Sequence, residues 1–164
     1  MLRQLRPDMF VDSIYAIDLE RLRRRGVKAL ILDIDNTLAG WNGPAEPTAV
    51  AWLQDVRRQG FSVCLVSNAR TERVRRFAEV VKLPAVARAR KPTPSGFRRA
   101  LATLGTTPAE TAMIGDQLFT DILGGNFLGL LTVLVVPMGA REFFGTRLSR
   151  AAERMVMRNW QSVD

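Results

Sequence analysis

The chain contains no histidine and a single cysteine. Without histidine, the Ser-His-Asp and Cys-His nucleophile arrangements, histidine-phosphate chemistry and most transition-metal sites are excluded. Acid–base chemistry is left to Asp, Glu, Lys or Tyr. A metal, if used, should be a hard, oxygen-ligated ion such as Mg²⁺. The lone Cys64 rules out a disulfide framework or a thiolate zinc site within the chain. Inside FSVCLV it reads as a core strand residue. Long apolar runs are also missing. The longest, Phe127 to Met138, is interrupted by Gly129 and is too short to span a bilayer. The opening MLRQLRPDMF lacks the apolar stretch of a signal peptide. These absences lead us to expect a soluble, cytoplasmic protein.

What is present fits one ordinary domain. The 164 residues, 47% of them hydrophobic, can bury a real core. No repeat, low-complexity tract or linker divides them. The net charge is +8, carried mostly by arginine. Such a surface attracts phosphates, anionic lipid heads or nucleic acid, but no nucleic-acid-binding motif accompanies the charge.

Short apolar runs alternate with amphipathic segments. A helix is expected from Asp18 to a stop at Gly26, then a buried strand in VKALILD. PTAVAWLQDVRRQ reads as a helix with proline in its first turn, and FSVCLVS as a second buried strand. TERVRRFAEVVK is helical, and PAVARA a short strand. TPSGFRRALATL is helical, TAMIGD a strand, LFTDILGGNFL a helix at its start, and LLTVLVV a strand. Gly124, Gly125 and Asn126 read as a tight helix exit. Residues 1–26 form an N-terminal extension and helix, and 144–164 a C-terminal helix docked on the core. Continuously apolar strands alternating with helices predict an α/β fold: one doubly wound, Rossmann-like parallel sheet covered on both faces.

In such sheets, ligands bind beyond the C-terminal strand ends. The polar residues there are Asp33, Asp35, Ser67, Asn68 and Asp116, far apart in sequence but brought to one edge. Asp33 and Asp35 close the run LILDIDNTL, where two carboxylates are costly unless they share a cation. GDQLFTD supplies Asp116 and Asp121 as further oxygen donors. A carboxylate can attack phosphorus while a second protonates the leaving oxygen and then activates water. Ser67 and Asn68 offer hydroxyl and amide donors to phosphoryl oxygens, and the N–H groups opening the next helix can add more. Lys91, in the proline-braced ARKPTP, can neutralise phosphate and nucleophile together.

DIDNTL, SN, KP and GDQLFTD, in this order, resemble the four motifs of the haloacid dehalogenase (HAD) superfamily of phosphotransferases. RPDMFVDSIYAIDLERLRRRGVKALILDIDNTL, SNARTERVRRF, GDQLFTDILGGN and TRLSRAAER resemble its class IIIA, YqeG-type phosphatases over nearly the whole chain. The resemblance implies Asp33 as nucleophile and Asp35 as general acid/base. It implies Mg²⁺ on Asp33, the Asp35 carbonyl and Asp116, with Asp121 close to the metal. Ser67 and Lys91 would hold the phosphoryl group, with Asn68 and Thr37 of the same motifs also at the substrate. The likeness extends to eukaryotic relatives that dephosphorylate phosphatidylglycerophosphate. Ala69 departs from it, since many relatives carry asparagine there.

Superfamily cap domains enter after the first motif or between the second and third. Only AGWNGPAE fills the first gap, and one helix with a short strand fills the second, so no cap is expected. The site should be open, with Trp41 at its rim or packed beside the loop. Arg88 and Arg90 flank Lys91 and are candidates for a second anionic group. The other arginine clusters, Arg73 to Arg76 among them, read as solvated helix or loop faces. LRQLRPDMF and RMVMRNW mix cations with apolar residues, as an interfacial membrane segment does. The expected function is Mg²⁺-dependent phosphomonoester hydrolysis, with phosphatidylglycerophosphate a candidate substrate. The alternative is a HAD-fold scaffold docking a nucleotide-binding or ribosomal partner.

Overall fold

The computed structural model describes residues 2–138 and Arg154. The expected C-terminal helix, and with it RMVMRNW, lies outside the described residues except for helical Arg154.

Six strands form one parallel sheet: β1 (Met9–Val11), β2 (Ala29–Leu32), β3 (Ser62–Val66), β4 (Ala85–Val86), β5 (Thr111–Gly115) and β6 (Leu131–Val135). Their order is β1-β6-β5-β2-β3-β4. The helices are α1 (Leu19–Arg24), α2 (Pro47–Arg58), α3 (Thr71–Val81), α4 (Pro94–Leu104) and α5 (Leu123–Leu128). Leu30 and Leu32 of β2 pack in the cluster that holds Leu22 of α1, Leu53 and Val56 of α2, and Val74, Phe77 and Val81 of α3. Ile31 points the other way, into a cluster with Cys64, Met113 and Phe97, Ala100 and Leu101 of α4. This alternation of faces on a continuously buried strand is what a doubly wound sheet requires.

Cys64 is fully buried, and loss of solvent pushes its thiol up to about 11. It is a core residue kept as the neutral thiol, as its strand context predicted.

The N-terminal segment carries a helix, α1, where one was expected, and a strand that was not. Met9–Val11 form a sixth strand that pairs with β6, Phe10 opposite Leu134. Asp8 fixes the register by accepting the Thr132 N–H at 2.8 Å, while its own N–H meets the Thr132 carbonyl at 2.9 Å. Asn126 is no helix exit either. Its amide donates to the carbonyls of Gln4 and Arg6, tying the N-terminal segment to α5. The exit is Gly129, at φ +77°. Gly124 and Gly125 are packing positions, where a Cβ would meet the Phe97 ring at 2.4 Å and the Thr132 methyl at 2.8 Å.

The chain runs from β2 outward to β3 and β4, then crosses to β5 on the other side. The order reverses between β2 and β5, so the crevice of this sheet opens where Asp33 and Asp116 follow those strands. No domain is inserted among the described residues. Residues 40–46 contain no helix or strand, and 69–90 only α3 and β4.

Candidate active site

Asp33 follows β2, and its N–H continues the ladder to the Ile114 carbonyl at 3.0 Å. Beyond it the chain turns sharply. Asn36 takes φ +62°, a left-handed conformation that asparagine tolerates better than most residues, and its N–H meets the Ala39 carbonyl at 2.7 Å. The turn brings Asp35 back near the same edge.

Lys91 joins the strand ends. The loop after β4 stays paired with the end of β3, Ala89 N–H to the Ser67 carbonyl at 3.0 Å and Arg88 N–H to the Ala69 carbonyl at 3.1 Å. Arg88 and Arg90 have φ +46° and +58°, sparsely populated for arginine, and both side chains are exposed. The Asn68 side chain clamps the Lys91 peptide from both sides. Its Oδ1 accepts the Lys91 N–H at 2.7 Å and its Nδ2 donates to the Lys91 carbonyl at 3.1 Å. The buried Lys91 ammonium donates to Asp33 Oδ1 (2.8 Å), Asp121 Oδ1 (2.6 Å) and the Val66 carbonyl (3.0 Å). Three bonds use its full donor capacity.

Asp116 ends β5 and accepts the Thr37 hydroxyl at 3.1 Å. Asp121 lies in a π-helical turn, Leu118–Ile122, that precedes α5, where a plain helix start was expected. Its second oxygen accepts the Gln117 N–H at 3.2 Å. It comes this close because residue 115 is glycine. A Cβ there would lie 2.1 Å from Asp121 Oδ2. One oxygen each of Asp33, Asp116 and Asp121 lies within 4.8 Å of the others, and all three residues are buried.

Burial by itself would lower the Lys91 pKa, but the charges of Asp121 and Asp33 outweigh it and hold the ammonium above its ordinary range. Burial pushes the Asp121 carboxyl up, Lys91 pulls it back and Asp33 adds to the rise, leaving it at about 7.

Asp35 stands apart from this carboxylate cluster. Its Oδ1 accepts the Asn42 N–H at 2.8 Å and Arg73 Nη2 at 3.0 Å. A cavity of about 240 Å³ opens between the two groups, lined by Asp33, Asp35, Trp41, Ser67, Asn68, Ala69, Lys91 and Gln117. Trp41 is 42% exposed at this cavity. Ser67 is buried, and its Oγ accepts the Ala69 N–H at 3.1 Å.

Asp33, Asp35, Ser67, Asn68, Lys91, Asp116 and Asp121 therefore lie at this edge, but several of the expected site residues have other contacts than expected. Thr37, expected at the substrate, is buried with its hydroxyl on Asp116. The Asn68 amide holds the Lys91 backbone. Arg88 and Arg90 do not line the cavity. Sequence reading missed Arg73, the Asn42 N–H and Gly115. For Arg73 a signal existed. It stands four residues before Phe77, so both share the buried stripe of α3.

The chain is similar to known proteins in sequence and in fold. Residues 88–138, which contain Lys91, Asp116 and Asp121, match the HAD-hydrolase-like family model. The chain is 41% identical to the Bacillus subtilis protein named "Probable phosphatase YqeG", over 92% of this chain and 88% of that one. This chain belongs to the YqeG family of HAD-type phosphatases. It also aligns with the Arabidopsis thaliana chloroplastic/mitochondrial phosphatidylglycerophosphate phosphatase 1, at 32% identity over 94% of this chain and 47% of that one. Among solved structures, the cobalt-bound deoxy-D-mannose-octulosonate 8-phosphate phosphatase of Haemophilus influenzae shares the fold, with a TM-score of 0.55 and 15% identity over 82% of this chain and 89% of that one. NagD of E. coli K-12 gives 0.56 and 18% over 70% and 90%.

Proposed function

We propose that this chain is a Mg²⁺-dependent, capless phosphomonoester hydrolase that works through an aspartyl-phosphate on Asp33. The observation that carries the reading is the convergence of Asp33, Lys91, Asp116 and Asp121 from beyond three strands, β2, β4 and β5, in one buried cluster beside an open cavity that Asp33 and Lys91 line.

The donor set fits a hard divalent cation. It offers carboxylate oxygens only, buried and within reach of one another. Three clustered carboxylates, Asp33, Asp116 and Asp121, face one cation, Lys91, while Asp35 is matched separately by Arg73. The excess of negative charge equals one divalent ion. Asp33, Asp116 and the Asp35 carbonyl would hold Mg²⁺, with Asp121 beside them. Bound there, the ion would neutralise charge on the phosphoryl oxygens.

The chain's own residues account for the rest. Asp33 attacks phosphorus, and Lys91 holds its carboxylate in one orientation. Asp35 gives its proton to the departing oxygen, then takes one from the water that cleaves the acyl phosphate. Ser67 keeps its hydroxyl proton available for a phosphoryl oxygen, since its oxygen is the acceptor in the bond from Ala69. The N terminus of α3 has no side-chain cap, which leaves its first N–H groups free to add donors. Asn68 and Thr37 support the substrate through Lys91 and Asp116.

The open site and the phosphatidylglycerophosphate phosphatases among the relatives favour that lipid, or another anionic phospholipid monoester, as substrate. Trp41 would then meet the lipid surface. The cell compartment in this reading is the cytoplasm, with peripheral contact to the membrane. No described helix is long and apolar enough to cross a membrane. The test is Mg²⁺-dependent phosphate release over a panel holding p-nitrophenyl phosphate, sugar phosphates, nucleotides and phosphatidylglycerophosphate in vesicles. The reading predicts strongest release from the lipid and none from Asp33→Asn. A soluble ester preferred by a wide margin overturns the lipid assignment. Release unaltered in Asp33→Asn overturns the mechanism.

A further inference from the structure

The two aspartates of the DIDNT turn have separate cations. Lys91 spends its three donors on Asp33, Asp121 and the Val66 carbonyl and has none for Asp35. Asp35 is held instead by Arg73, in the first turn of α3, Nη2 to Oδ1 at 3.0 Å. Arg73 differs from its neighbours. Arg75 and Arg76 are 53% and 72% exposed and pair with Glu72 on the surface, while the Arg73 side chain is 17% exposed. Its guanidinium lies over the Phe77 ring, 5.4 Å from the centroid. Its Nε is buried without a hydrogen-bond partner. An arginine held on a ring with an unmet donor is costly as a purely structural choice. Its planar fork, stacked on Phe77, fixes the direction of the one N–H bond it makes.

That bond and the Asn42 N–H converge on the same oxygen, Oδ1. Among the described residues, Asp35 Oδ2 has no hydrogen-bond partner. Two donors on one oxygen fix the rotamer of the carboxyl group and draw negative charge to that oxygen. The other oxygen is left to carry the proton.

We propose that Arg73 is a positioning residue for Asp35, which together with the Asn42 N–H pins Oδ1 and presents Oδ2 to the leaving group. This rests on the reading of Asp35 as general acid. In that step the Asp33 carboxylate forms a bond to phosphorus and the bond from phosphorus to the ester oxygen breaks. The proton on Asp35 Oδ2 passes to that oxygen, and the alcohol departs. The carboxylate left on Asp35 is the anion that Arg73 already faces.

The experiment compares kcat/KM, which covers the steps through departure of the alcohol, for two esters at saturating Mg²⁺. p-Nitrophenyl phosphate has a leaving group that departs without a proton. sn-Glycerol 3-phosphate has one that needs it. Because general acid catalysis contributes about 10²- to 10⁴-fold, Arg73→Gln should lower kcat/KM on glycerol 3-phosphate at least about tenfold more than on the aryl ester. Arg73→Lys, which keeps the positive charge facing Asp35, should restore part of the difference. Asp35→Asn should show the same bias, and adding Arg73→Gln to it should enlarge the bias no further. Equal loss on both esters, with the fold checked by circular dichroism, overturns the proposal and makes Arg73 structural or a phosphate ligand. No loss on either also overturns it. Failure of the underlying reading looks different: Asp33→Asn would keep turning over both esters, or Asp35→Asn alone would lose both equally.

Discussion

The Lys91 ammonium lies 2.8 Å from Asp33 Oδ1 and 2.6 Å from Asp121 Oδ1, so one buried cation joins the first and last acidic motifs of the chain. Breaking such a group by removing one partner costs about 3–5 kcal/mol, because the other charges stay buried. Lys91→Met should therefore lower the unfolding free energy by that order in chelator and abolish phosphate release. Added Mg²⁺ should raise its melting temperature more than it raises the wild type's, since a second cation would meet the same carboxylates. Differential scanning calorimetry with and without the metal reads this directly. A variant as stable as the wild type in chelator would show that Lys91 does not balance these carboxylates.

Asp121 sets a pH dependence. Its folded pKa, about 7, lies above the ordinary carboxyl range, so the metal-free folded state holds a proton that the unfolded chain releases. The stability tied to that proton is fully present at low pH. It falls as pH rises from the ordinary carboxyl range through about 7, and levels off above. Urea titrations in chelator should show this fall in the wild type and lose it in Asp121→Asn. Identical pH profiles for the two proteins would contradict the assignment.

Gly115→Ala tests the close approach of Asp121. Its Cβ would stand 2.1 Å from Asp121 Oδ2 and 2.4 Å from Cγ. Overpacking of this kind costs about 1–3 kcal/mol, and it pushes the carboxylate away from Asp33 and Asp116. Isothermal titration with Mg²⁺ should give weaker binding than in the wild type. Unchanged affinity would place Asp121 outside the metal site.

Thr37→Val removes the hydroxyl that meets Asp116 Oδ1 at 3.1 Å. Partners that orient metal ligands are worth about 10- to 100-fold in affinity or activity. The expected result is an activity loss in that range that rising Mg²⁺ partly restores. A loss that only rising substrate restores would return Thr37 to the substrate contact first expected of it.

The fold was legible because each central strand is a short, continuously apolar run closed by a polar residue, as in LILD and VCLVS. The candidate site was legible at those same closing residues. What escaped has physical causes. β1 has three residues, MFV, too few for a period to show. Its place is fixed by Asp8 and Asn126, more than 115 positions from their partners. Arg73 was hidden among arginines of the same helix that do face solvent, although its spacing to Phe77 marked the buried stripe. Asn68 and Thr37 were assigned by motif to the substrate, whereas their hydrogen bonds go to Lys91 and Asp116. Only the folded turn shows which polar group is spoken for.

The most direct test of the central claim is to look for phosphate on Asp33. Asp35→Asn should slow hydrolysis of an acyl phosphate by removing the base, while p-nitrophenyl phosphate still transfers its phosphoryl group without an acid. Acid-quenched mixtures of this variant, Mg²⁺ and p-nitrophenyl phosphate should show the chain heavier by one phosphoryl group, mapped to Asp33 by peptide mass spectrometry. Absence of the adduct together with undiminished phosphate release from Asp33→Asn would contradict the account.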